Sequence, residues 1–136
     1  MKKDIEIPVV KDVYVAAVLE ENQGAEDDVW DIYFINNKNE PLEGVMITSR
    51  GYMETDAGTE MLSSLLRHNV GDVPSKSAVK VEIILPQVFE IYNEYWATFF
   101  CENKLMERKF VFGPFTIDKN FLEDLPVISA KGILVK

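Results

Sequence analysis

The sequence predicts an all-β protein, an antiparallel β-sandwich of about seven strands, and three observations predict it. Apolar and polar residues alternate with a period of two along most apolar segments, as in strands that bury one face. Turn-forming residues interrupt these segments at short intervals. The chain also contains eight Phe, five Tyr and two Trp residues, and aromatic residues are enriched in strands.

Alternate residues give each predicted strand an inward face. These faces are Val13, Val15, Ala17 and Leu19 in the first strand, Trp30, Ile32 and Phe34 in the second, Val45 and Ile47 in the third, and Val79, Val81, Ile83 and Leu85 in a later strand. Two further strands are predicted in residues 95–101 and 105–112. The short turn Glu102–Lys104 joins them into a hairpin.

The segment between the second and third strands is polar and contains turn-forming residues. Asn36 and Asn37 tolerate left-handed backbone angles, Pro41 presets a turn angle, and Gly44 precedes the next apolar run. We therefore expect residues 29–52 to form a hairpin with a wide polar loop.

Residues 59–70 fit two secondary structures. Met61, Leu62, Leu65 and Leu66 have helical spacing, whereas the position of the segment between strands favours an extended conformation. Both alternatives remain open from the sequence.

The C-terminal part predicts a helical turn and one more strand. Asp118 fits the N-cap of a turn in residues 118–126, Pro126 would end it, and residues 127–136 are apolar enough to pair as an extra strand or to lie over an open edge. Strands at this spacing, without a long helix, predict a sandwich of the immunoglobulin-like type. At 136 residues we expect one domain, residues 1–136, with its own core.

Charge and cysteine content limit the partners and the compartment. The net charge is -9 and the 14 Lys and Arg residues do not cluster, so we expect neither nucleic acid nor an anionic membrane as a partner. Cys101 is the single cysteine, which excludes an intrachain disulfide and fits a reducing compartment. The first ten residues lack the apolar core of a signal peptide. These observations predict a cytoplasmic protein.

Two stretches, IYFINNKNEPLEGVMITSRGY and VPSKSAVKVEII, resemble small immunoglobulin-like bacterial modules. In such modules an apolar strand ends in an Asn-rich turn, and a Pro-containing loop introduces a later strand. The whole chain is also similar to a small uncharacterised bacterial family of such β proteins. Some of its members carry the label of phenylalanyl-tRNA synthetase α subunit.

That label would imply aminoacylation, but the residues do not predict it. A class II synthetase core requires a Gly-rich motif, and the seven glycines of this chain lie too far apart to build one. The chain is also too short for a synthetase core with its coiled coil.

Candidate catalytic and metal-binding residues are few. His68 is the single histidine, and a hydrolase would pair it with Ser63 or Ser64, but no G-x-S-x-G elbow is present. Apolar and acidic neighbours favour a core role for Cys101 over a reactive thiolate.

One histidine and one cysteine cannot form a zinc site. The predicted loop at residues 20–28 lacks EF-hand spacing, so Glu26, Asp27, Asp28 and Asp31 would hold calcium only weakly. We expect no metal and no cofactor.

Aromatic residues are the remaining candidates. RKFVFGPF superficially resembles an RNA-binding strand, but its Phe110 and Phe112 share a face, which favours core packing. At the start of the predicted strand in residues 95–101, Tyr95 would act as a tyrosine corner that bonds upstream backbone. Alternatively, five rings form an exposed interaction patch: Trp30, Tyr33, Tyr92, Tyr95 and Trp96.

The sequence therefore predicts a non-catalytic module that binds a protein partner or itself through a sheet face or an open edge. One alternative is a carbohydrate or small-molecule binding domain that stacks ligands on Trp30, Tyr92 and Trp96. A second alternative is a hydrolase that relies on His68.

Overall fold

The computed structural model describes residues 10–20 and 29–135. This part of the chain folds into ten strands and two 3-10 helices. The strands are β1 (Val13–Glu20), β2 (Val29–Asn36), β3 (Leu42–Thr55), β4 (Gly58–Met61), β5 (Leu66–Val73), β6 (Ser77–Ile84), β7 (Tyr92–Cys101), β8 (Lys104–Phe112), β9 (Glu123–Asp124) and β10 (Lys131–Val135). The 3-10 helices are Pro86–Val88 and Lys119–Phe121.

The strands form two antiparallel sheets that pack into a sandwich. The first sheet has the order β6-β2-β1-β10-β9, and the second has the order β4-β3-β7-β8 with β5 also paired to β3. The sets β1-β2-β6 and β3-β7-β8 follow the order of the A-B-E and C-F-G strands of an immunoglobulin sandwich. The all-β sandwich prediction is confirmed. The strand number is ten rather than about seven, because residues 58–73 and 123–135 each supply two strands.

The inward faces of β1 to β3 are those that the alternation predicts. Val13, Val15, Trp30 and Ile47 belong to the main core cluster. Phe110 and Phe112 of β8 are also in this cluster, which confirms their core role. Because side chains alternate across a strand, the neighbours of these residues face outward, and Met46 is 42% exposed.

The inward face of β6 differs from the prediction because the strand contains a bulge. Ile32 pairs with Glu82 and Tyr33 pairs with Lys80, which leaves Val81 as an extra residue. A bulge of one residue reverses the faces of the strand beyond it. Ile84 is therefore 5% exposed, whereas Ile83 is 54% exposed, so the predicted inward position of Ile83 is wrong. The same holds for Leu85, which is 48% exposed.

Residues 29–52 do not form a hairpin, so that prediction is also wrong. β2 pairs with β1 and β6, whereas β3 pairs with strands of the second sheet. Residues 37–41 therefore cross between the sheets. Asn36 is fully buried at this crossing. Its Nδ2 donates to the carbonyls of Glu40 at 3.0 Å and Pro74 at 3.0 Å, and its Oδ1 accepts from the amide of Lys38 at 3.0 Å.

Residues 59–70 are extended, which settles the alternatives left by the sequence in favour of strands. They belong to β4, to β5 and to the loop between these strands. The predicted hairpin of β7 and β8 is confirmed. Its turn residues Glu102 and Asn103 have φ angles of 51° and 64°, as a two-residue type I′ turn requires.

The C-terminal predictions are confirmed in outline. Asp118 caps a single 3-10 turn by accepting a hydrogen bond from the amide of Asn120. The turn ends before Pro126, because Glu123–Asp124 already pairs as β9. β10 pairs with β1 as the expected extra strand.

The outer face of the first sheet carries a second apolar layer. Ala16, Val18 and Ile35 of this face pack against Leu125, and Ile128 is partly buried with them. Residues 21–28, which include most of the predicted acidic loop, lie outside the described residues. In the described ranges there is no helix with the length and apolar character that crossing a membrane requires.

Candidate functional site

The structure does not bring the five predicted patch aromatics together on one surface. Trp30 and Tyr95 are each 2% exposed and belong to the core. Tyr33 lies on the outer face of the first sheet, and Tyr92 stacks on Tyr52 at 5.2 Å between ring centroids. Trp96 is exposed on the outer face of the second sheet. A stacking platform of Trp30, Tyr92 and Trp96 is therefore not formed, because Trp30 packs edge-on against Phe89 inside the sandwich.

Tyr95 differs from a tyrosine corner in the partner of its hydroxyl. The hydroxyl lies beside the carboxylate of Glu82 on β6, across the sandwich. Burial of the ring, with the charge of Glu82 as the second cause, raises the pKa of Tyr95 well above its ordinary value. The tyrosine therefore links the two sheets through a side chain and not through upstream backbone.

His68 lies within β5. Its Nε2 is 3.3 Å from the hydroxyl of Ser49 and 3.5 Å from Oε2 of Glu82. A serine-histidine-acid relay uses both ring nitrogens, one for the hydroxyl and the other for the carboxylate. Here both groups meet the same nitrogen, so the three side chains do not form such a relay. Ser63, one of the expected nucleophiles, instead accepts a hydrogen bond from the amide of Gly51 at 2.5 Å.

An open cleft of about 300 Å³ lies beside these polar groups. Its lining residues include the polar side chains of Ser49, Glu82 and Tyr95. Its apolar lining consists of Leu66, Ile83, Ile84, Leu85, Val88 and Ile91. The cleft therefore joins a small polar area to a larger apolar wall.

Local backbone geometry creates this cleft. β3 pairs with β5 up to Ser49 and with β4 from Tyr52 onward, so its edge partner changes around Gly51. The amides of Leu62 and Ser63 both donate to the carbonyl of Gly51, at 3.0 and 3.2 Å. A Cβ atom at Gly51 would lie 2.7 Å from Cδ1 of Ile91. Glycine at this position therefore leaves room for Ile91 at the cleft wall.

The charge of Arg50, at the border of the cleft, is matched by Glu94. Nε of Arg50 lies 2.6 Å from Oε2 of Glu94, and Nη2 lies 3.3 Å from Oε1. The Glu94 side chain is only 4% exposed. The hydrogen bond to Glu94 raises the pKa of Arg50. The guanidinium of Arg50 is therefore paired with the carboxylate of Glu94.

A second candidate surface lies on the outer face of the second sheet. Four apolar side chains are exposed there, and we call them the β7 face: Met46 (42%), Trp96 (39%), Phe100 (48%) and Leu105 (65%). Phe100 pairs directly with Leu105 across β7 and β8. Met46 pairs with Thr98, which lies between Trp96 and Phe100. Nε1 of Trp96 donates to Oε2 of Glu107 at 3.3 Å, which positions the indole.

The other candidate residues have structural partners. Cys101 is 9% exposed, and burial raises the pKa of its thiol. Asp31 is 3% exposed, and its Oδ1 lies 3.0 Å from Nζ of Lys80. Glu26, Asp27 and Asp28 lie outside the described residues.

Sequence reasoning missed Ser49, Glu82, Met46 and Phe100. The alternation places Glu82 on the outward face, because it does not reveal the bulge at Val81. The placing of Met46 and Phe100 on one sheet face depends on the pairing of β3 with β7. No protein-family model matches the chain, and no curated protein matches it.

Proposed function

We propose that the chain is a non-catalytic, cytoplasmic module that binds a protein partner or assembles through the β7 face. The observation that supports this most directly is the group of four exposed apolar side chains on one sheet face. Trp, Met and Phe are enriched at protein interfaces, and Trp is frequent among residues that dominate binding energy.

The contrast between the two outer faces supports the same proposal. The first sheet has residues 125–130 packed over its outer face. Among the described residues, no segment with a comparable apolar cluster covers the β7 face. An apolar group on an open face is a common mark of an interaction surface.

Two further observations support the non-catalytic and cytoplasmic parts of the proposal. Ser49 and Glu82 share one nitrogen of His68, which is the geometry of a hydrogen-bonded structural cluster. The buried thiol of Cys101, with its raised pKa, suits a reducing compartment in which cysteines serve as core residues.

The test compares the native chain with the double variant Trp96→Ala, Phe100→Ala. Light scattering measures self-association, and affinity capture from cell extract measures other partners. We expect the double variant to lose the association while its circular dichroism spectrum is unchanged, since both side chains project from the sandwich.

Phe121→Ala is the matched control, because Phe121 is an equally apolar ring, 61% exposed, in a 3-10 helix outside the β7 face. The control should associate as the native chain does. The proposal is wrong if the native chain is monomeric and captures no protein that the double variant fails to capture.

A further inference from the structure

The cleft beside Glu82 has the volume of a small ligand site and a negatively charged end, and it lies apart from the β7 face. Its volume of about 300 Å³ lies at the small end of ligand sites. It corresponds to roughly ten water molecules at their share of liquid volume. Leu66 is 50% exposed at its border and Leu85 is 48% exposed, so two apolar side chains remain open to a ligand there.

The charge of the cleft is negative at its polar end. Among its described lining residues, Arg50 and Glu82 carry formal charges. Arg50 is engaged with Glu94 through two hydrogen bonds. Among the described residues, the hydroxyl of Tyr95 and Nε2 of His68 lie beside Glu82, and the histidine is positive only when protonated. The carboxylate of Glu82 therefore lacks a permanent cationic partner among the described residues.

The burial of Glu82 strengthens its attraction for a cation. Its side chain is 19% exposed, so a cation next to it would interact through a medium less polar than bulk water. Ser49 is 5% exposed, and its hydroxyl oxygen is a second acceptor at the same end of the cleft. Together these groups can accept the N–H donors of an ammonium group.

We propose that this cleft binds a small primary amine with an apolar body, of the alkylamine or arylalkylamine class. The ammonium group lies against the carboxylate of Glu82 and the hydroxyl of Ser49, and the apolar body packs against Leu66, Leu85 and Ile91. This site is separate from the β7 face, so it stands whether or not that face binds a protein.

Three probes with the same ring test the head-group preference on the full chain: 2-phenylethylamine, 2-phenylethanol and phenylacetate. Backbone-amide NMR titration gives both the affinity and the location. We expect the amine to bind best and the acid worst, because Glu82 attracts the ammonium and repels the carboxylate. The shifted resonances should be those of residues that line the cleft, including Ser49, Leu66 and Ile84.

Two variants test the assigned contacts. Glu82→Gln should weaken amine binding about tenfold or more, as expected for loss of a hydrogen bond to a charged group. It should leave the affinity for 2-phenylethanol nearly unchanged. Ser64→Trp, at an exposed position of the cleft lining, should abolish binding of both compounds by filling the cleft. Glu123→Gln is the control, because it removes an exposed carboxylate on β9, at the opposite edge of the first sheet from β6.

The probe series on the native chain keeps the proposal falsifiable even if Glu82→Gln fails to fold. Equal affinity for the three compounds would overturn it, as would shifts confined to residues outside the cleft. Failure of all three to shift cleft resonances would also overturn it.

Discussion

The guanidinium of Arg50 on β3 and the carboxylate of Glu94 on β7 form a two-point ion pair between neighbouring strands. The Nε–Oε2 distance is 2.6 Å and the Nη2–Oε1 distance is 3.3 Å. The two residues are direct cross-strand partners. Arg50 also lies over the ring of Tyr52, at 5.5 Å from its centroid. The Glu94 side chain is 4% exposed.

Arg50→Ala should destabilise the fold by about 1–3 kcal/mol, because it leaves a largely buried carboxylate without its main partner. The estimate is below the full cost for a buried pair, since the Arg50 side chain is 37% exposed and partly screened by water. Chemical denaturation measures the change. Lys109→Ala is the control, because Nζ of Lys109 is 3.9 Å from Glu94 and 51% exposed. Equal losses in the two variants would contradict the special role of Arg50.

Asn36→Ala should cost about 1–3 kcal/mol, because it leaves buried and partly buried carbonyl groups at the crossing between the sheets without their donor. These carbonyls belong to Glu40, Val73 and Pro74. Asn39→Ala removes the same kind of side chain from an exposed position in the same segment and should change stability little. Urea unfolding of both variants checks this. A loss in the Asn39 variant as large as that in the Asn36 variant would refute it.

Gly132→Ala should destabilise the chain by about 1–3 kcal/mol, the usual cost of forcing a group into a packed site. Gly132 pairs with Val18, and a Cβ atom there would collide with the carbonyl oxygen of Ala17. The obstacle is backbone, so β10 must move away from β1. Lys131→Ala, at the exposed neighbouring position, provides the baseline. A melting temperature for Gly132→Ala at or above that baseline would contradict the close approach.

Glu20→Gln should raise the melting temperature, and the gain should grow with pH. A hydrogen bond with Asp31, then burial, then the charge of Asp31 raise the pKa of Glu20 above 4.5. The folded state thus holds this proton more tightly than the unfolded state. Its contribution to stability is present below pH 4.5 and is lost as pH rises through the raised pKa.

Glutamine does not titrate, so the variant avoids that loss. Thermal unfolding followed by circular dichroism from acidic to neutral pH measures the difference between variant and native chain. Glu123→Gln, on exposed β9, controls for the change in net charge. A difference that stays constant across this pH range would show that Glu20 and Asp31 are not coupled.

The local alternation of apolar and polar residues was sufficient to predict which side chains face the core where the strands are regular. Val13, Trp30 and Ile47 face inward as predicted, because the direction of successive side chains is fixed by strand geometry alone. The same rule failed at Ile83, since the bulge at Val81 depends on the partner strand β2. Information about a partner strand is not contained in the local pattern.

The assignment of strands to sheets could not be predicted from the sequence for a related reason. The segment after Asn36 has the composition of a hairpin loop, yet it crosses to the other sheet. The choice between the two depends on long-range pairing of β3 with β7. The cleft was missed for the same reason, because Ser49 and Glu82 meet only when the two sheets are stacked.

Cys101 makes the hairpin of β7 and β8 directly measurable. It is the single sulfhydryl of the chain, 9% exposed at the last residue of β7, and paired with Lys104 across the turn. An alkylating reagent reaches such a thiol mainly when the strand end separates, so its reaction rate under native conditions counts openings of this hairpin. The alkylation rate of Cys101 therefore reports how often this hairpin opens, without an added label.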